Sequence, residues 1–164
     1  MALNFDLMTA ADHSAVLEVV TKFDSCIDMT VDEYSDYINS GANQELLKLK
    51  KGKTIEDCTR FILKKNLDWS GQEAIMQKQF KLDPVTKQPI LNPAFVMHEV
   101  QRSLADIKQP DDAAFKFKYK QDQPGMASRK IVEALHNAGI LMELFQARQS
   151  ATGGMKTELT NKKK

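Results

Sequence analysis

The sequence predicts an α+β fold in which helix outweighs strand, with about four helices packed on a small antiparallel sheet. Three observations lead there. Apolar residues recur at three- and four-residue spacing behind helix-opening caps. Strict period-two alternation is confined to short runs. The 164 residues are 42% hydrophobic and 27% charged, a composition that packs a core without disulfides or metal. One domain over residues 1–149, followed by a flexible basic tail over residues 150–164, accounts for the length.

The first fifteen residues give mixed signals, with Thr9 placed to cap a short turn of helix. The β-branched run at residues 16–23 predicts a short strand. Thr30-Val31-Asp32-Glu33 is a capping box that opens a helix ending near Asn39, before Ser40-Gly41. Residues 46–50 alternate in part, and residues 59–64 place Phe61 and Leu63 on one face. Together they predict a loosely connected hairpin across Lys51-Gly52-Lys53. A second box, Ser70-Gly71-Gln72-Glu73, opens a helix to about Lys81, stopped by Asp83-Pro84.

Pro84, Pro89 and Pro93 mark residues 83–93 as an ordered loop. Asn92 then caps a helix with proline at its first position. Its predicted buried stripe is Phe95, Val96, Val100, Leu104 and Ile107. Residues 115–120 alternate aromatic with lysine, which puts Phe115, Phe117 and Tyr119 opposite Lys116, Lys118 and Lys120. A last helix starts near residues 126–128 and carries Ile131, Val132, Leu135, Leu141, Leu144 and Phe145, with Gly139 a bend or stop.

Charge excludes some functions. Net charge is +1, of which residues 156–164 supply +3, so the body sums to −2. A near-neutral body argues against a nucleic-acid groove. The longest apolar runs are far too short to span a bilayer, and residues 1–10 lack the basic start and apolar run of a secretory leader. Cys26 and Cys58 are too few for a disulfide framework and lack metal-ligand spacing. They read as small buried hydrophobes in a reducing cytoplasm.

No motif calls for catalysis, a metal or a cofactor. Lys51-Gly52-Lys53-Thr54 ends like a phosphate loop, but Leu47 stands where its first glycine belongs. His13, His98 and His136 fall in separate elements without partners at ligand spacing. Asp24, Cys26 and Asp28 alternate without the glycine and further oxygens of a calcium loop. In the ribbon at residues 115–120, alternation separates the rings from the ammonium groups, whereas single-strand binders need both on one side.

The order of parts resembles the tail-assembly chaperones of tailed bacteriophages. The residues that carry it are the acidic helix start at residues 30–37 and the lysine-rich turn after it. Thr59-Arg60-Phe61-Ile62-Leu63-Lys64 is similar to that family's T-x-F-x-L-[KR] strand, and a terminal helix contains Gly139-Ile140-Leu141-Met142-Glu143-Leu144. The outline covers residues 30–147. The resemblance implies a non-enzymatic protein of the host cytoplasm that shields aggregation-prone structural subunits, chiefly tail tube and tape measure, before assembly. Partner contact is expected on an apolar groove at Ile131, Leu135, Leu141, Leu144 and Phe145. The alternatives are a virion connector component, or a nucleic-acid accessory protein using Lys116, Lys118 and Lys120.

Overall fold

The computed structural model describes residues 15–67, 80–113 and 116–152. Among the described residues the strands are β1 (Val16–Val19), β2 (Arg60–Lys64), β3 (Phe80–Leu82), β4 (Pro89–Leu91), β5 (Leu104–Lys108), β6 (Gln121–Gln123) and β7 (Met126–Ala127). The helices are α1 (Val31–Asn39), α2 (Pro93–Ser103), α3 (Arg129–Asn137) and α4 (Leu141–Thr152). Strands β1, β2 and β5 form an antiparallel sheet in the order β1-β2-β5, and β3-β4 and β6-β7 are separate two-stranded ribbons. The fold is the small, helix-rich α+β arrangement that the patterning predicts.

The central strand decides where the core lies. Leu17 and Val19 of β1 pair with Leu63 and Phe61 of β2, and all four side chains are buried on the face that the helices cover. Helix α4 is the hub, touching α1, α2, α3 and the first two strands. Its Leu141, Leu144 and Ala147 enter the core beside Tyr34, Tyr37 and Ile38 of α1 and Val100 of α2. Those three side chains of α4 are thereby taken up by the core, while Met142 of the same helix stays exposed.

Two helices end as their sequences dictate. Helix α1 starts at the Thr30 and Glu33 capping box and closes with Gly41 N–H to the Ile38 carbonyl and Ala42 N–H to the Tyr37 carbonyl. Helix α3 starts at Ser128, whose hydroxyl accepts from Ile131 N–H, and closes identically at Gly139 and Ile140. Both glycines lie at positive φ, 79° and 76°, as this closure requires. Gly139 is therefore a stop, and the single terminal helix expected from residue 126 onward is two helices joined at a sharp turn.

Gly41 has a second constraint, because a Cβ there would stand 2.8 Å from the Ala151 Cα in α4. Gly41→Ala combines left-handed strain with a backbone clash and is expected to destabilise by about 2–4 kcal/mol, measurable by urea unfolding.

Other expectations need correcting. The hairpin between residues 46–50 and 59–64 does not form, because Gln44–Leu46 winds into a 3-10 turn capped by Asn43. Leu49 only bridges to Ile27, and β2 instead lies between β1 and β5. Helix α2 stops at Ser103, and Leu104 and Ile107 belong to β5. Leu104 pairs with Leu63 while Asp106 pairs with Ile62, so Ala105 is an extra bulged residue. That bulge turns Leu104 and Ile107, three apart, onto the same core face.

The helix expected at residues 70–81 lies largely outside the described residues, and Phe80 and Lys81 at its end belong to β3. Residues 116–120 belong to no strand or helix, although their exposure alternates as expected. Helix α4 continues to Thr152, three residues beyond the expected domain edge. Residues 153–164 lie outside the described residues.

Candidate functional site

The residues expected to bind a partner are spent on the core. Leu135 and Leu144 are 0% exposed, Ile131 and Leu141 5%, and half-buried Phe145 meets Phe95 edge to face at 5.7 Å. Periodicity identified an apolar face correctly, but that face is covered by α1, α2 and the sheet.

Lys116, Lys118 and Lys120 are exposed. Phe117 turns inward onto Phe61 at 5.7 Å, and the Tyr119 hydroxyl donates to the Leu104 carbonyl at 3.0 Å. Neither ring stands beside an ammonium group as base stacking would need. His136 is exposed on α3 and His98 half-buried on α2, while His13 lies outside the described residues.

Two polar networks tie the helices to the sheet. The one Tyr34 hydroxyl proton is donated to Glu143 Oε2 at 2.8 Å, with the Val20 carbonyl also within reach at 3.1 Å, and Lys22 pairs with Glu143 Oε1 at 3.3 Å. Fully buried Tyr37 accepts from Val20 N–H at 3.2 Å. Burial first, then the Glu143 charge, pushes the Tyr34 phenol up, and burial holds Tyr37 up to about 12.

In the second network Arg148 Nη1 meets Glu99 Oε1 at 2.9 Å. Its Nε donates to the Lys64 carbonyl at 2.9 Å, and Gln149 donates to the same Glu99 oxygen at 2.6 Å. These charged groups serve the fold.

A third cluster joins segments distant in sequence. Asp24, Cys26 and Cys58 bring one carboxylate oxygen and two Sγ atoms within 4.8 Å of one another. The Asp24 carboxylate accepts from Cys26 N–H at 2.9 Å and Thr59 N–H at 2.8 Å. Both thiols are buried and free. Burial pushes the Cys58 thiol up to about 12, with the Asp24 charge adding to it. Sequence spacing missed this meeting because the 3-10 turn Ile55–Asp57 carries Cys58 back over the turn at residues 21–27.

Large apolar side chains are exposed singly at Phe23, Val31 and Met142, and three more lie on the β3-β4 ribbon. Lys81 pairs with Ile90 and Leu82 with Pro89. Leu82 is 65% exposed, Val85 at the tip 88%, and Ile90 37%. The turn is ordered by its own bonds: Asp83 Oδ1 accepts from Val85 N–H at 2.8 Å and Thr86 N–H at 3.2 Å. Asp83 N–H reaches the Gln88 carbonyl at 2.9 Å. Those amides hold the Asp83 carboxyl below its ordinary range. Among the described elements the two strands pack chiefly on each other.

A cleft of about 390 Å³ lies elsewhere, between Val16-Leu17-Glu18, the turn at residues 40–44, Lys65 and Ala151. Among the described residues no helix is long and apolar enough to cross a membrane. No family model, curated protein or solved structure compared with the chain matches it.

Proposed function

We propose that this protein is a non-catalytic assembly factor that shields an aggregation-prone apolar segment of another protein, and that the β3-β4 hairpin makes the contact. The observation that carries the reading is the hairpin itself, with Leu82 and Val85 more than half exposed on a turn ordered by Asp83. An isolated two-stranded hairpin is marginal in water, and Leu82 and Val85 stand exposed three residues apart at its turn. A turn already ordered before binding loses less entropy when a partner arrives. Lys81 and Lys87 are exposed beside the apolar groups, which suits a polar rim around a hydrophobic contact.

The resemblance to tail-assembly chaperones supplies the partner class, namely tail tube or tape measure subunits before they assemble. Affinity capture of the tagged chain from producing cells, followed by mass spectrometry, is expected to recover those subunits in quantity. The chain itself is expected in the cells and absent from finished particles. Its presence in particles at a fixed copy number would replace this reading with that of a virion component. Recovery of heterogeneous, nuclease-sensitive material would favour the lysines at 116, 118 and 120 instead.

A further inference from the structure

We propose that Asp24, Cys26 and Cys58 form a binding site for a thiophilic divalent cation of the zinc(II) class. The proposal is independent of the assembly reading. Three ligand atoms of the types that zinc takes converge within 4.8 Å. Ligand atoms around a tetrahedral zinc stand roughly 3.5–4 Å apart, given metal–sulfur bonds near 2.3 Å and metal–oxygen bonds near 2.0 Å. Contraction by at most about 1.3 Å closes the set.

The surroundings favour that contraction. Asp24 is clamped by Cys26 N–H and Thr59 N–H, and each oxygen keeps a lone pair for a metal. Backbone donors that orient a ligating carboxylate are the usual outer shell of a metal site. Both sulfurs sit on tight turns, one closed by Ile27 N–H to the Asp24 carbonyl, the other by Cys58 N–H to the Ile55 carbonyl. The thiols make long contacts with backbone, Cys26 to the Asp57 carbonyl at 3.4 Å and Cys58 to the Thr54 carbonyl at 3.6 Å, and a side-chain hydrogen bond with each other. Sulfur is a weak donor, so little is lost when those contacts go.

Each thiol releases its proton to solvent as its sulfur–metal bond forms, and Asp24 binds as the carboxylate. The fourth tetrahedral position goes to water on the side of half-buried Asp24. Two thiolates select zinc over magnesium or calcium.

The test uses the full chain under reducing conditions with zinc, cobalt(II) or magnesium added alone. Native mass spectrometry is expected to show one zinc per chain, and cobalt to give thiolate charge-transfer absorption in the near ultraviolet. Free zinc a hundredfold above Kd is expected to raise the thermal midpoint by about 5–10 °C, with no shift for magnesium. Cys26→Ser and Cys58→Ser are expected to lose zinc, and Asp24→Asn to bind it at least tenfold more weakly. Because the serine variants could misfold, the wild-type measurements stand by themselves: no zinc uptake, no cobalt band and an unmoved midpoint overturn the site. Zinc uptake retained in both serine variants overturns it equally.

Discussion

Replacing Arg148 with methionine is expected to destabilise the protein by about 3–5 kcal/mol. The guanidinium spans three elements. It pairs with Glu99 of α2 at 2.9 Å and donates to the carbonyls of Lys64 and Lys65, at 2.9 and 3.4 Å, where β2 ends. The side chains of Arg148 and Glu99 are 9% and 5% exposed, so solvent does not replace what is lost. Methionine fills much of the volume but removes the buried guanidinium that faces Glu99 and the two carbonyls. A native stability of about 5–15 kcal/mol makes that a large share. Arg148→Lys keeps the charge without the planar fork and is expected to fall between the two. Urea unfolding measures all three, and a loss under 1 kcal/mol for methionine would contradict this account of the hub helix.

Alkali is expected to unfold the protein through groups that the core keeps protonated. Tyr37 and Cys58 are held up to about 12 by burial, and Tyr34 is raised in the same direction. The folded state therefore keeps its protons over a range where the unfolded chain, with thiols near 8.5 and phenols near 10, has released them. The stabilisation is complete below about pH 8.5 and is lost as pH rises toward 12. Each group contributes a slope of about 1.4 kcal/mol per pH unit while the pH lies between its two values. Urea midpoints at pH 8, 10 and 11 are expected to fall steadily. Cys58→Ala and Tyr37→Phe are each expected to flatten that fall, whatever they do to stability at pH 8. A midpoint unchanged at pH 11 would contradict it.

Local signals were legible where they act over one helical turn. The Thr30 and Glu33 box, the Asn92 and Pro93 start, and the strand around Phe61 and Leu63 stand where the sequence places them. Longer-range outcomes were not. Leu104 and Ile107 continue the helical spacing of Val100, yet they belong to a strand in which a bulge at Ala105 turns both inward. Period alone does not separate these cases.

The apolar stripes of α3 and α4 say which face avoids water, not whether another element covers it. Glu143 and Arg148 sit among those stripes as buried charges, and their partners, Tyr34 and Glu99, are 109 and 49 residues away. The exposed hairpin was hidden by its prolines, because Pro89 opens a strand where only a loop was expected.

We propose that the hairpin, and not the buried terminal helices, carries partner recognition. The most direct measurement compares the wild-type chain with a Leu82→Asp, Val85→Asp double variant for binding to the subunit captured from producing cells. Both side chains are exposed, so the variant is expected to unfold at the wild-type midpoint within about 0.5 kcal/mol. Its affinity is expected to fall at least a hundredfold, since charges in the apolar centre of a contact are desolvated without partners. Undiminished binding by a folded double variant would contradict the account and move the contact to another surface.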